Sequence, residues 1–343
     1  MRPTFHVEVI VHTFTAFASF ATRSKTACVA FLLSVACATA AAQGYPAKPV
    51  RMMVGFAPGG GVDTAARIVA QGLSDLWGLQ VVVENRPGAA GSVATEVTAK
   101  APADGYTIML CQIASHAITP ARSRKLPYDH INDFAFPSMV GAVTNVFMVH
   151  PSMPTKSLRE FLAFARANPG KVSFGSSGVG ASPHMSIELL KSMTKIDIVH
   201  VPYKGATPAL TDVMSGHIES SIGNLSGSLL SAVNTGRVRA LGVTSGRRSK
   251  HVPDVPTFAE AGVPGYDVTG WYGICTQSKV PQPVLAKLSA DLNRILNEPQ
   301  VRKRLEDQAV DVTPSTPEQF IAHVRVETEK WTKVVKEAGL EER

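Results

Sequence analysis

From Pro49 onward, short apolar runs alternate with stretches whose apolar residues recur at helical spacing. PVRMMVGF (49–56) reads as a strand and VDTAARIVAQGLSDLWG (62–78) as an amphipathic helix closed by Gly78. LQVVVEN (79–85) is then a strand, SVATEVTAKA (92–101) a helix and YTIMLC (106–111) a strand, each bounded by Gly, Pro or Asp-Gly punctuation. A second set begins after PSMPTKS. It predicts helices over 158–168, 183–193, 206–216 and 228–236, and strands over 171–177, 196–203, 217–225 and 238–245. PDVPTFAEAG (253–262) predicts a short helix and turn, WYGICTQ (271–277) is extended, and helices over 280–298, 301–308 and 316–338 end the chain.

Alternation of this kind implies parallel pairing and an α/β layer architecture. No repeat and no low-complexity linker separates the two sets, so two lobes are expected, joined by extended segments near 142–150 and 262–272. A chain that leaves one lobe, builds a second and returns crosses twice and leaves a cleft, a geometry suited to capture of a small ligand.

The first forty residues are of another kind. Arg23 and Lys25 precede TACVAFLLSVACATAAAQ, whose apolar body is short for a bilayer span and suits the core of a signal peptide. Ala-Thr-Ala (38–40) and Ala-Ala-Ala (40–42) are small-residue cleavage sites, so residues 1–42 are expected to be removed and the mature chain to begin near Gln43. That takes away Arg2, Arg23, Lys25 and Glu8 and lowers the formal net charge from +7 to +5. The remaining excess is scattered over Arg122/Arg124/Lys125, Arg237/Arg239 and Arg247/Arg248/Lys250 without interleaved aromatics. This suits attraction of small anions and argues against a nucleic-acid footprint. Apolar residues make up 45% of the chain and charged ones 18%, enough apolar content for packed cores, and no later run is long enough to span a membrane. Cys28 and Cys37 leave with the leader; Cys111 and Cys275 remain, either as one disulfide or as two buried thiols.

Candidate chemistry concentrates in strand-to-helix turns. GFAPGGGVDTAAR (55–67) should present unpaired amides and a partial positive charge to an anion, or else be an ordinary tight turn with Asp63 as a first-turn acid. Val62-Asp63-Thr64 supplies no Walker lysine. A dinucleotide fingerprint fails at its third small position, Thr64, although Glu84 stands where a ribose-binding acid would sit. GSSGVG (175–180) precedes another helix; Val179 breaks the Gly-x-Ser-x-Gly elbow, which leaves hydroxyls and amides as ligand donors. His184 either orients that loop, touches ligand or is simply packed. The turns at 85–91 and 202–208 can also reach the cleft, and Lys204 is the cation best placed for a carboxylate, or else a solvated loop lysine. The histidines of the mature chain show no His-x-x-x-His spacing and the cysteines no Cys-x-x-Cys, so no metal centre or cofactor is expected, and no nucleophilic triad can be nominated.

GFAPGGGVDTAAR, ENRPGAAGSVA, APADGYTIML, LPYDHINDF, VSFGSSGVGASPHM, VPYKGATPALTDVMSGHIE, RVRALGVTSGRRSKHVPDVPTFAEAGVPGYDVTGWYG and EKWTKVVKEAG together resemble, in order along the mature chain, the Bug (TctC) family of extracytoplasmic solute receptors. These serve tripartite tricarboxylate transporters. The resemblance implies a type II periplasmic-binding-protein fold, with one lobe of 45–145 plus 268–343 and another of 146–267. It implies a monomeric periplasmic receptor, not an enzyme, that holds a small carboxylate and presents it to inner-membrane transporter subunits. The rival is an exported enzyme using His184 or Lys204 as acid or base; a third reading is a binding protein serving a sensor. Carried over by position, Phe56, Ala57, Gly59, Gly60 and Asp63 would line or brace one wall. Ser176, Ser177, Gly178, Gly180 and His184 would face them, joined by Tyr203, Lys204, Gly205 and Asn224. His130, Ser220 and Ser221 depart from the family pattern, and the serines would alter ligand choice if either pointed into the cleft.

Overall fold

The structure, a computed structural model, describes residues 44–123 and 125–342; the leader expected over 1–42 and Arg124 lie outside the described residues. The chain divides into two compact units, 1–47 and 48–343, and of the first only residues 44–47 are described.

The second unit opens with β1 (Val50–Val54), α1 (Gly61–Trp77), β2 (Val81–Asn85), α2 (Ser92–Ala99) and β3 (Thr107–Gln112). Val62, Ala65, Ala66, Ile68, Val69 and Leu73 form the buried stripe of α1, at the spacing the sequence shows, and Gly78 ends the helix in the left-handed conformation (φ 66°) that only glycine adopts freely. β1 pairs β2 and β3 in parallel. After α3 (Thr119–Arg122) the chain enters β4 (Phe134–Val149), and then α4 (Leu158–Ala167), β5 (Ser173–Ser176), α5 (Ser182–Thr194), β6 (Val199–Pro202), α6 (Ala206–Met214), β7 (Ser220–Asn224), α7 (Gly227–Asn234) and β8 (Arg239–Val243). β5 pairs β6 and β7, again in parallel. β9 (Thr269–Gln277), α8 (Gln282–Asn297), α9 (Pro299–Glu306), β10 (Asp311–Val312) and α10 (Pro317–Ala338) complete it. α10 starts with a capping box between Thr316 and Gln319 and ends at Gly339.

The parallel pairing expected from the alternation is present in both halves, but it is only part of the picture. β3–β9, β9–β4, β4–β7 and β4–β8 are antiparallel. The physical reason is the route of the chain: the strand that carries it out of the first half (β4) and the strand that brings it back (β9) run in opposite directions side by side. β4 pairs β9 along Phe134–Thr144 and then, from Asn145 to Val149, pairs β7 on one side and β8 on the other. A single strand is thus shared by both halves of the sheet, whose order is β2-β1-β3-β9-β4-β7-β5-β6.

Besides the first half of β4, where no strand was expected, three segments differ from the sequence expectation. PDVPTFAEAG forms turns and no helix: Thr257 and Glu260 cap one turn reciprocally, but Gly262 (φ 107°) and Pro264 end it there. A π-helical turn (Ala114–Ile118) leads into α3 where no element was expected, and β10 is a two-residue strand against Gly141 and Ala142. Gly141 is required there, because a β-carbon would lie 2.4 Å from the Asp311 carbonyl oxygen. Cys111 and Cys275 are free, buried thiols.

Candidate functional site

The first loop leaves β1 at Val54 and reaches α1 through Gly59, in left-handed conformation (φ 83°), and Gly60, extended at the N-cap. Asp63 turns back beneath it. Its carboxylate accepts from the Gly59 amide (3.0 Å), Arg67 Nε (2.9 Å) and Asn85 Nδ2 (2.8 Å), and the same Asn85 amide donates to the Phe56 carbonyl at 3.0 Å. Burial alone would raise this carboxyl, but the three hydrogen bonds and the Arg67 charge outweigh it and hold Asp63 below the usual carboxylate range. The amides of Gly61 and Val62, in the first turn, have no carbonyl four residues back within the helix to bond.

The second loop joins β5 to α5 and rests on imidazoles. Ser176 Oγ lies 2.7 Å from His200 Nε2 and accepts from the Gly178 amide (3.2 Å). His184 Nδ1 accepts from the Gly180 amide (3.2 Å), so its proton sits on Nε2, facing Glu188 Oε1 at 3.8 Å. The two rings stack at 4.1 Å, with Phe174 4.8 Å beyond His200. Burial, reinforced for His184 by Arg122 and for His200 by His184, lowers both histidines to about 4 and keeps them neutral.

The third loop joins β6 to α6. Tyr203 Oη donates to Asp212 Oδ2 (2.6 Å), and burial followed by that carboxylate pushes its pKa up to about 12. Tyr203 lines the cleft, but its side chain packs on the cluster of Leu210, Val213 and Ile218 and its hydroxyl is committed to Asp212. Lys204 is exposed, and Gly205 (φ 135°) caps α6. Thr207 Oγ1 donates to the Gly59 carbonyl (3.3 Å), tying the third loop to the first.

Between the loops lies a cleft of about 560 Å3. Of the residues nominated from sequence, Phe56, Ala57, Ser177, Gly178, Tyr203, Lys204 and Gly205 line it. It opens onto an inner pocket of about 20 Å3, lined also by Gly60 and Asn224. Gly59 lies beside Gly60 and Asn224 at a further small pocket. Asp63, Ser176, Gly180 and His184 stand behind the walls as braces. Ser220 and Ser221 spend their hydroxyls on the Ser173 and Gly175 carbonyls of β5 (2.7 and 3.1 Å), and His130 packs near Thr328 Oγ1 (3.3 Å).

The inner pocket gathers the N-termini of three helices: Gly60–Val62 of α1, Ala181–Pro183 of α5 and Gly205–Ala206 of α6. α1 and α6 contribute first-turn amides, α5 only that of Ser182, since Pro183 has no N–H and the Ala181 amide donates to the Gly178 carbonyl (3.3 Å). All three add the positive end of a helix dipole, so the pocket attracts an anion without any formal positive charge. Gln112, 4% exposed at the end of β3, also lines it, and its Nε2 finds no acceptor among the described residues. Sequence reasoning missed this donor, because its isolation depends on what folds around it. The 85–91 turn reaches the cleft as expected, bringing Pro87, Gly88, Ala89 and Ala90 to its outer part, although none of its residues was nominated individually.

A two-halved α/β framework closing helix N-termini around a small cavity defines a solute-binding protein of the type II periplasmic-binding-protein fold. The model of the tripartite tricarboxylate transporter family receptors, TctC, matches residues 65–340, and the chain belongs to that family. It is 34% identical to protein BugT of Bordetella pertussis over 303 residues, 88% of this chain and 93% of that one. Among solved structures it is similar to an R. palustris protein with adipate (33% identity, TM-score 0.81, 86% of this chain and 98% of that one). It is similar also to MatC of Rhodopseudomonas palustris with bound malate (29% identity, TM-score 0.78, 85% and 100%). No helix among the described residues is long and apolar enough to cross a membrane.

Proposed function

We propose that the protein is a periplasmic receptor, acting as a monomer, that closes on a small carboxylate and presents it to the inner-membrane subunits of a tripartite tricarboxylate-type transporter. The lobes are residues 45–145 plus 268–343, and 146–267. The observation that carries this reading is the inner pocket, where three helix N-termini converge with the Gln112 Nε2 that finds no acceptor among the described residues. Phe56, Ala57, Pro87, Ala90 and Val179 give the outer cleft an apolar lining to which the exposed Lys204 adds one cation, so a dicarboxylate with a short carbon chain suits it best. The adipate and malate held by the two relatives are of that class. Contacts made by both lobes exist only in the closed form, so a ligand stabilises that form by population shift. Periplasmic placement is supported by the leader-like stretch before Gln43 and by a similar protein described as the periplasmic binding protein BugD.

The receptor reading is favoured over an enzyme because the two proposed acid–base groups are poorly placed. His184 faces its own loop, and Lys204 sits at the rim. Calorimetric titration of protein freed of ligand by partial unfolding tests the proposal, using adipate, malate, simple monocarboxylates and inorganic phosphate. Binding of a carboxylate in preference to phosphate, with the ligand recovered unchanged, is expected. Silence across the carboxylates, or a chemically altered ligand, contradicts it.

A further inference from the structure

Beneath the inner pocket, β3 and β9 bring together residues far apart in the chain. Cys111 pairs with Gly273 and Cys275 with Met109, so the two thiols sit diagonally across one antiparallel ladder. The π-helical turn sets His116 against them, and the three potential ligand atoms lie within 4.8 Å of one another, with Cys275 Sγ 3.7 Å from His116 Nε2. All three residues are fully buried.

The hydrogen bonds dictate which ring nitrogen is free. Ser115 Oγ donates its proton to the Gln112 carbonyl (3.1 Å) and therefore accepts from His116 Nδ1 (2.9 Å). Nε2 is left with its lone pair, turned toward the thiols. Burial keeps the ring neutral, with a pKa lowered to about 3, and pushes the Cys275 thiol up. Phe134 and Phe136 close the site, their rings T-shaped to the His116 imidazole with centroids 4.8 and 5.8 Å from its own.

We propose that Cys111, His116 and Cys275 form a binding site for a thiophilic d10 metal ion, Zn2+ or Cu+. Two sulfurs and one imidazole are the donor set such ions select, and the Ser115 hydroxyl supplies the outer hydrogen bond that fixes a ligating histidine. Metal–sulfur and metal–nitrogen bonds of about 2.3 and 2.0 Å at trigonal angles separate S from N by about 3.7 Å and S from S by about 4.0 Å, against 3.7 Å for Cys275 Sγ to His116 Nε2 and 4.8 Å or less for every pair here. Zn2+ displaces both thiol protons, and two thiolates with a neutral imidazole cancel its charge, as a dry interior demands. The proposal is independent of the carboxylate reading.

Because no ligand is exposed, the ion is loaded by refolding the reduced mature chain with Zn2+, Co2+ or Cu+ in separate arms, followed by gel filtration against a chelator. One Zn2+ or Cu+ retained per chain, two protons released per Zn2+, thiolate charge-transfer bands in the Co2+ arm, and loss of at least about a hundredfold in affinity in Cys111→Ala and Cys275→Ala are expected. Far-ultraviolet circular dichroism and cooperative unfolding of both variants serve as the check that they fold. No retained ion in folded wild-type protein overturns the proposal. So does uptake that the alanine variants leave unchanged, or a Cys111–Cys275 disulfide in protein isolated from its own compartment.

Discussion

The two principal walls of the cleft have the same outline, strand, glycine-rich turn and helix, but opposite bracing. The Gly55–Gly61 wall is held from beneath by an ionised group, Asp63, saturated by an amide, a guanidinium and a carboxamide. The Gly175–Gly180 wall is held by two stacked, neutral imidazoles and a serine hydroxyl. Both expose backbone amides, and both keep side-chain charge away from the inner pocket. The lesson is that the anion-attracting field comes from oriented backbone, while side chains fix where that backbone points.

The largest expected effect falls on the backbone itself. Gly60 has ordinary extended geometry (φ −84°) and nothing closer than 4.0 Å to an added β-carbon, so Gly60→Val folds but fills the inner pocket. Carboxylate affinity measured by calorimetry should fall by about a hundredfold or more, roughly 2.7 kcal/mol; unchanged affinity removes this wall from the site.

Asp63→Asn breaks the first brace. The new amide points a donor at groups that already donate, and stability should drop by about 2 kcal/mol in denaturant unfolding, with faster hydrogen exchange at Gly59 and Gly60. Indifference of both would show that Asp63 does not hold the loop.

Acid separates the walls next. The folded pKa values of His184 and His200 lie near 4, below the ordinary 6.5, so the unfolded chain takes up protons first as pH falls. The stability these rings provide is complete above about pH 6.5 and is lost progressively toward pH 4. Asp63, lowered rather than raised, stays ionised through that window. Hydrogen exchange over this range should therefore speed up at Gly178 and Gly180 before Gly59 and Gly60, and equal acceleration of both loops would erase the distinction.

Lys204→Met is the mildest change. An exposed cation is screened, so a dicarboxylate should bind only about two- to fivefold more weakly, with monocarboxylates unaffected, as read by titration at low salt. A loss comparable to that of Gly60→Val would move the electrostatic weight from backbone to side chain.

Much of this was legible in the sequence, for reasons that also mark where legibility ends. The stripe of α1 and the glycine at its end are local facts, as is the Thr316/Gln319 capping box, and periodicity reads local facts. The long β4 was legible only at its far end, because FAFPSMVGAVTNVFMV alternates on two faces with different partners and carries Pro137 inside. Which way a side chain points was not legible: Asp63 and His184 sit at first-turn positions that face a ligand or a loop equally well. Gln112 and the Cys111–His116–Cys275 group were hidden entirely, since their significance comes from partners up to 164 residues away across the β3–β9 ladder.

The central claim is that backbone amides at the three helix N-termini hold the ligand carboxylate. Its most direct test is the amide resonance of each pocket glycine in 15N-glycine-labelled protein, with and without a saturating dicarboxylate. The account predicts large downfield shifts at Gly60 and Gly61, preserved in Lys204→Met. Ligand bound at saturation with those two amides unmoved would contradict it.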